Sequence, residues 1–142
     1  MKTFDDSRLS SSYWALRVTF ILVPLIAGLD KFGNMLTNWP HYLSPAFARI
    51  IPMSPPAFLH VVGVVEIIAG LLVLSAWTRL GAYVVMAWLI CIAINLVSMG
   101  YLDIAVRDLA MAVGAFALAR LQEVRAGVPA RLRVHAPASA AA

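Results

Sequence analysis

The sequence predicts an all-α integral membrane protein: a four-helix bundle with both termini in the cytoplasm and a Pro/aromatic-rich outer loop between helices one and two. Three observations lead there. First, 62% of the 142 residues are hydrophobic and 13% charged, whereas a soluble domain usually carries about 25% charged residues. A small soluble domain leaves much of its surface facing water and could not hide so much apolar area; a bilayer removes the difficulty. Second, four segments each supply the roughly 20 mainly apolar residues that span a membrane at 1.5 Å per residue. Third, the basic residues sit mainly at segment ends, where membrane topology places them.

Residues 1–12 are polar and read as a short cytoplasmic arm. The first span covers residues 13–33, with Arg17 near enough to one end to snorkel and Pro24 placed to kink the middle. No small-residue cleavage site follows it, and Asp30-Lys31 stands where that site would be, so the segment reads as an uncleaved helix rather than a signal peptide. Residues 34–56 hold five of the eight prolines together with Trp39, Tyr42 and Phe47. That density excludes a spanning helix and predicts a loop with an interfacial segment, its aromatics at headgroup level.

The second span, residues 57–77, and the third, residues 80–99, are separated by Thr78-Arg79 alone and must form a tight antiparallel hairpin. Gly100-Tyr101-Leu102 turns the chain into the fourth, residues 103–121; these spans and the loop make one domain, 13–121. The remainder, 122–142, is basic and then rich in Ala and Pro, the composition of a disordered tail. With the N-terminus inside, eight basic residues (Lys2, Arg8, Arg17, Arg79, Arg120, Arg125, Arg131, Arg133) are cytoplasmic and three (Lys31, Arg49, Arg107) are outside. That bias sets the orientation.

The net charge of +4 does not make nucleic acid a partner, because the basic residues are not clustered among polar or aromatic ones. The expected partners are the lipid bilayer and either another protein or further copies of the chain. Cys91 is the single cysteine, which excludes an intramolecular disulfide or a C-x-x-C redox pair; it reads as packing. His60 is the one histidine within a span, with His41 in the loop and His135 in the tail, so no metal or haem is expected.

An ionisable group in lipid costs roughly 2.5–3.5 kcal/mol even on insertion scales, so such residues face the bundle interior and have partners. Here they gather on one side. Asp30 and Lys31 end helix one, and Asn95 lies a turn from the outer end of helix three. Asp103, Arg107 and Asp108 begin helix four; His60 is near the mouth of helix two, with Glu66 about 13 Å deep at 1.5 Å per residue. Residues 67–76, 80–94 and 110–119 carry no charge. The pattern predicts a polar pocket open toward the outer face.

Spacing supports inward placement. Ala105, Asp108, Ala112, Ala115 and Ala119 form a small-residue stripe, and Gly63 and Gly70 flank Glu66 on its face. Asp103 and Arg107 are four apart and can pair, while Arg17, Pro24, Gly28 and Lys31 share one face of helix one. Each acidic group is therefore expected to point inward. Arg107 with Asp108 or Glu66 reads either as a buried ion pair that fixes helix register or as part of a binding site. Asn95 reads as an interhelical hydrogen bonder or a ligand contact; Trp39 and Tyr42 read as interface anchors or ligand contacts.

Arg17 followed by Gly28-x-x-Lys31, G-x-x-E-x-x-x-G at Gly63–Gly70, and the charged start of helix four resemble the DoxX-like family of small four-helix membrane proteins. The stretches GLDKFGNMLTNWPHYLSP and YLDIAVRDLAMAVGAFALARL look like one of its less studied branches, over roughly residues 14–121. The resemblance implies a bacterial cytoplasmic (inner) membrane protein. Some relatives are membrane subunits of oxidoreductase systems, including a thiosulfate:quinone oxidoreductase and a complex linked to oxidative-stress resistance. The cysteine pair of the related thiol-redox membrane enzymes and a second intramembrane histidine are absent, which argues against a self-contained redox role.

The leading expectation is a membrane subunit that binds a quinone-like or other small hydrophobic molecule in the outer-half pocket and serves a partner oxidoreductase. Lys31, Asn95 and Arg107 would donate hydrogen bonds to the ligand, and Glu66 and Asp108 would relay protons or hold the donors. Asp30, His60, Asp103, Trp39 and Tyr42 would complete the site. The alternative is a non-catalytic scaffold or assembly protein whose polar core only holds the bundle together. A small-solute transporter is the third reading, against which four helices without an internal repeat offer little machinery for alternating access.

Overall fold

The computed structural model describes residues 7–134, which are helical apart from short connections and contain no strand. Helix α1 runs from Ser7 to Gly33, continuing through Pro24. It ends where Asn34 adopts a left-handed φ of 49°, a C-terminal closure that asparagine tolerates. A single 3-10 turn, Trp39–Tyr42, and a short helix α2, Pro45–Ile50, follow, so the proline-rich stretch is an irregular loop as expected. Ser44 caps α2 by accepting from the Ala46 N–H at 3.3 Å.

Helix α3, Pro55–Leu74, opens on two prolines at its first positions, where a missing N–H costs nothing. It meets α4, Thr78–Ser98, through a tight turn closed by Thr78 Oγ1, which donates to the carbonyls of Val73 and Ser75. Gly100, at a φ of +80°, lets the chain turn from α4 into α5, Leu102–Val134.

Two boundaries differ from expectation. The arm read over 1–12 is helical from Ser7, and residues 1–6 lie outside the described residues. The tail read from 122 continues α5 as far as Val134; residues 135–142 lie outside the described residues. Gln122, Glu123 and Arg125 at its start find partners on the bundle rather than in water. Gln122 accepts from the Tyr13 hydroxyl at 2.6 Å, Glu123 accepts from Tyr83, and Arg125 lies over the Tyr13 ring.

The four long helices pack with α1 against α3 and α4 against α5 most extensively, and α3 on α4 and α1 on α5 close the bundle. Small residues bring them close: Ala69, Ala82, Ala105, Ala112, Ala115 and Ala119 are all buried. The outward faces are apolar. Val18, Leu22 and Ile26 of α1, Val64, Ile68 and Leu71 of α3, and Ile90 and Ile94 of α4 are exposed, as lipid-facing residues must be. Three helices, α1, α3 and α4, are long and apolar enough to cross a membrane.

Candidate functional site

One end of the bundle carries the loop, the C-terminal ends of α1 and α4 and the N-terminal ends of α3 and α5. Here the helices surround a cavity of about 590 Å³, roofed by the 3-10 turn and α2, a volume in the range of small-molecule sites. Its walls are aromatic and aliphatic, with Tyr42, Phe47, Phe58 and Trp88 among them. Val23 and Cys91 line it and are also exposed, so the cavity is open rather than sealed.

Its polar groups are set by helix packing. Gly28 and Gly63 lie at the crossing of α1 and α3, where a Cβ on either would fall 2.6 Å from the other's carbonyl oxygen. Lys31 and Glu66 each stand three residues beyond these glycines, one turn along the same faces. The close approach therefore brings them together: Lys31 Nζ donates to Glu66 Oε2 at 2.6 Å, with side chains only 5% and 7% exposed. The ammonium also sits 3.7 Å from the centre of the Trp39 ring, a cation–π contact. Trp88 Nε1 donates to the other carboxylate oxygen of Glu66 at 3.4 Å. Asp108, buried on the small-residue face of α5, also lines the cavity.

Four expected residues, Asp30, Trp39, Tyr42 and Asn95, build the roof or its supports. Asp30 accepts from the backbone N–H groups of Met35 and Leu36 and from Trp39 Nε1 at 2.7 Å. It thereby orients the ring that receives Lys31. Asn95 donates to the Tyr42 carbonyl at 2.6 Å and accepts from the Ser44 N–H at 3.0 Å, using both ends of its amide to pin the loop. Asn95 thus bonds within the chain, from helix to loop, and it also lines the cavity. Tyr42 and Trp39 line the cavity instead of lying only at an interface.

The remaining expectations are corrected. Arg107 pairs with Asp103 at 3.3 Å on the outside of α5, the two side chains 72% and 71% exposed; neither lines the cavity. Glu66 is paired with Lys31 and not with Arg107, and Asp103 does not point inward. The reason is helical: Arg107 precedes Asp108 by one residue, about 100° round the axis, so a helix that buries Asp108 turns Arg107 away. His60 is exposed and stacks on Phe32, ring centres 4.8 Å apart, outside the cavity wall. Trp88 and Cys91 were not expected in it. Trp88, Ile92 and Asn95 are spaced by four and three, and that shared face is the signal that could have found Trp88.

Among the described residues, no three side chains of metal-binding type come together. The arrangement offers an apolar chamber with a closed ion pair on one wall and a carboxylate on another, suited to holding an apolar molecule with a polar head.

No curated protein and no solved structure matches the chain. A family model described as DoxX matches residues 13–99, more than half of the sequence and everything from the start of the first apolar segment to the end of α4. Three helices fit to cross a bilayer and this match make the chain an integral membrane protein, and it belongs to the DoxX family.

Proposed function

We propose that the chain is a membrane subunit that holds a quinone-like molecule in the loop-end cavity and serves a partner oxidoreductase. It spans the bacterial cytoplasmic membrane four times with both termini inside. The observation that carries the ligand is the cavity itself: about 590 Å³ with aromatic walls and few polar groups, among them Lys31, Glu66 and Asp108. A quinone ring stacks on aromatic walls and needs polar groups only at its oxygens. The fourth crossing is supported by the outward face of α5, where Val106, Leu109, Val113 and Phe116 are exposed like the lipid-facing residues of the other helices.

The test is to purify the protein in mild detergent, extract it with organic solvent and quantify quinone per chain by mass spectrometry. About one quinone per chain is expected, lost in the cavity-filling variant Val62→Phe. Quinone no higher than in an unrelated membrane protein handled identically would end this reading.

A second reading, a scaffold without a bound ligand, is favoured by one observation: Lys31, Glu66, Asp30 and Asn95 all spend their hydrogen bonds inside the chain. It requires that the partner's activity survive Val62→Phe.

A further inference from the structure

Of the three charged side chains that line the cavity, Lys31 and Glu66 are satisfied within the protein and Asp108 is not. Lys31 donates to Glu66 and rests on Trp39, Trp88 donates to Glu66, and Asn95 is committed to the loop. Asp108 is only 9% exposed and lines the cavity, and among the described residues its carboxylate has no hydrogen bond or ion pair. The charged groups near enough to feel it are Glu66, Arg107 and Lys31, and each of these is turned to another contact or, for Arg107, to the exposed Asp103. No oxygen of Asp108 is sealed off, so its acceptor sites open into the cavity, where a donor on an occupant can reach them. The chain itself supplies no hydrogen bond to it.

This distinguishes between the two oxidation states of a quinone, and the inference rests on the quinone reading. The oxidised ring presents only carbonyl oxygens, whose lone pairs would face those of a carboxylate. The reduced ring presents two phenolic O–H groups, each a donor. We infer that the cavity is selective for the reduced, dihydroxy form, with Asp108 accepting a hydrogen bond from one phenolic O–H. Asp108 lies beyond residues 13–99, the part of the chain that the family model matches.

Calorimetric titration of the purified full chain under anaerobic conditions tests this, with three short-chain probes: a decyl benzoquinol, the corresponding benzoquinone, and the quinol's dimethyl ether. A hydrogen bond to a charged acceptor implies roughly tenfold or greater preference for the quinol. The ether, matched in shape but without O–H, should bind no better than the quinone. Asp108→Leu removes the acceptor at similar size and should abolish the preference, its folding checked by thermal unfolding without ligand. Equal binding of quinol and ether by the unaltered protein, or a preference that persists in Asp108→Leu, would overturn the selectivity and leave quinone binding standing. Binding of none of the probes would remove the quinone reading and the inference together.

Discussion

Lys31 and Glu66 show how much a buried charge depends on its partner. With side chains 5% and 7% exposed and 2.6 Å between nitrogen and oxygen, removing one leaves the other unpaired in an apolar setting, at a cost of about 3–5 kcal/mol. Lys31→Ala and Glu66→Ala should each lower stability by that amount. The paired replacement Lys31→Met with Glu66→Leu should recover most of it, since well-packed apolar residues often match a buried ion pair. Reversible unfolding of the purified variants measures this; a double variant as unstable as the sum of the singles would show that the pair is not a unit. Asp30 makes a different prediction, because its partners are loop backbone and the Trp39 indole. Asp30→Ala should speed amide exchange at Met35 and Leu36 and shift Trp39 fluorescence toward that of a solvated indole, leaving the α1–α3 contact intact. The residue types at the site were legible because a charge in an apolar run stands out. Their pairing was not, since spacing along one helix does not give its rotation against another. Only α5 carried that information, and there the stripe through Asp108 already pointed Arg107 elsewhere.

At the scale of the helix, the tightest constraint is the crossing of α1 and α3. A methyl group on Gly28 or Gly63 would meet the opposing carbonyl oxygen at 2.6 Å, and backbone cannot move aside as a flexible side chain can. Gly63→Ala should therefore destabilise by about 1–3 kcal/mol, the usual cost of overpacking. By forcing the helices apart it should also weaken the Lys31–Glu66 pair. Gly127→Ala, with nothing within 4 Å of the added carbon, should be neutral or slightly stabilising, because alanine is the better helix former. Thermal unfolding of the two variants side by side checks both, and equal effects would refute the crossing as drawn. That α3 admits a close neighbour was readable from Gly63 and Gly70 around Glu66; that the neighbour is α1, meeting it at Gly28, was not. The end of α5 was not: a run of charge after an apolar segment looks like a tail until Tyr13 and Tyr83 of other helices bind Gln122 and Glu123.

The whole molecule is a bundle with an apolar girdle and two unlike ends, and the number of crossings decides how those ends meet the membrane. One end holds the cavity under its loop, with Arg49 and Arg107 exposed nearby. The other holds the α3–α4 turn beside Arg79, and there Arg17 caps α3 by donating to the carbonyls of Val73, Leu74 and Ser75. Arg120 and Arg125 lie toward the same end on α5. At 1.5 Å per residue the 33 residues of α5 extend about 50 Å, well beyond a hydrocarbon core of about 30 Å, so an α5 that crosses would carry its basic continuation outside the lipid. Positive residues favour the cytoplasmic side; the end with the α3–α4 turn should therefore be inside, and the cavity should lie in the outer leaflet. Fluorescent-protein fusions at the two termini and a phosphatase inserted after Met53 read this directly. Fluorescence at both termini with phosphatase activity in the loop is the expected result. A fluorescent N-terminus with a silent C-terminus would mean that α5 does not cross, leaving three spans and exposing Asp108 to water on a surface helix. Silent termini with an inactive phosphatase in the loop would invert the bundle, and the cavity would then face partners in the cytoplasm instead of outside it.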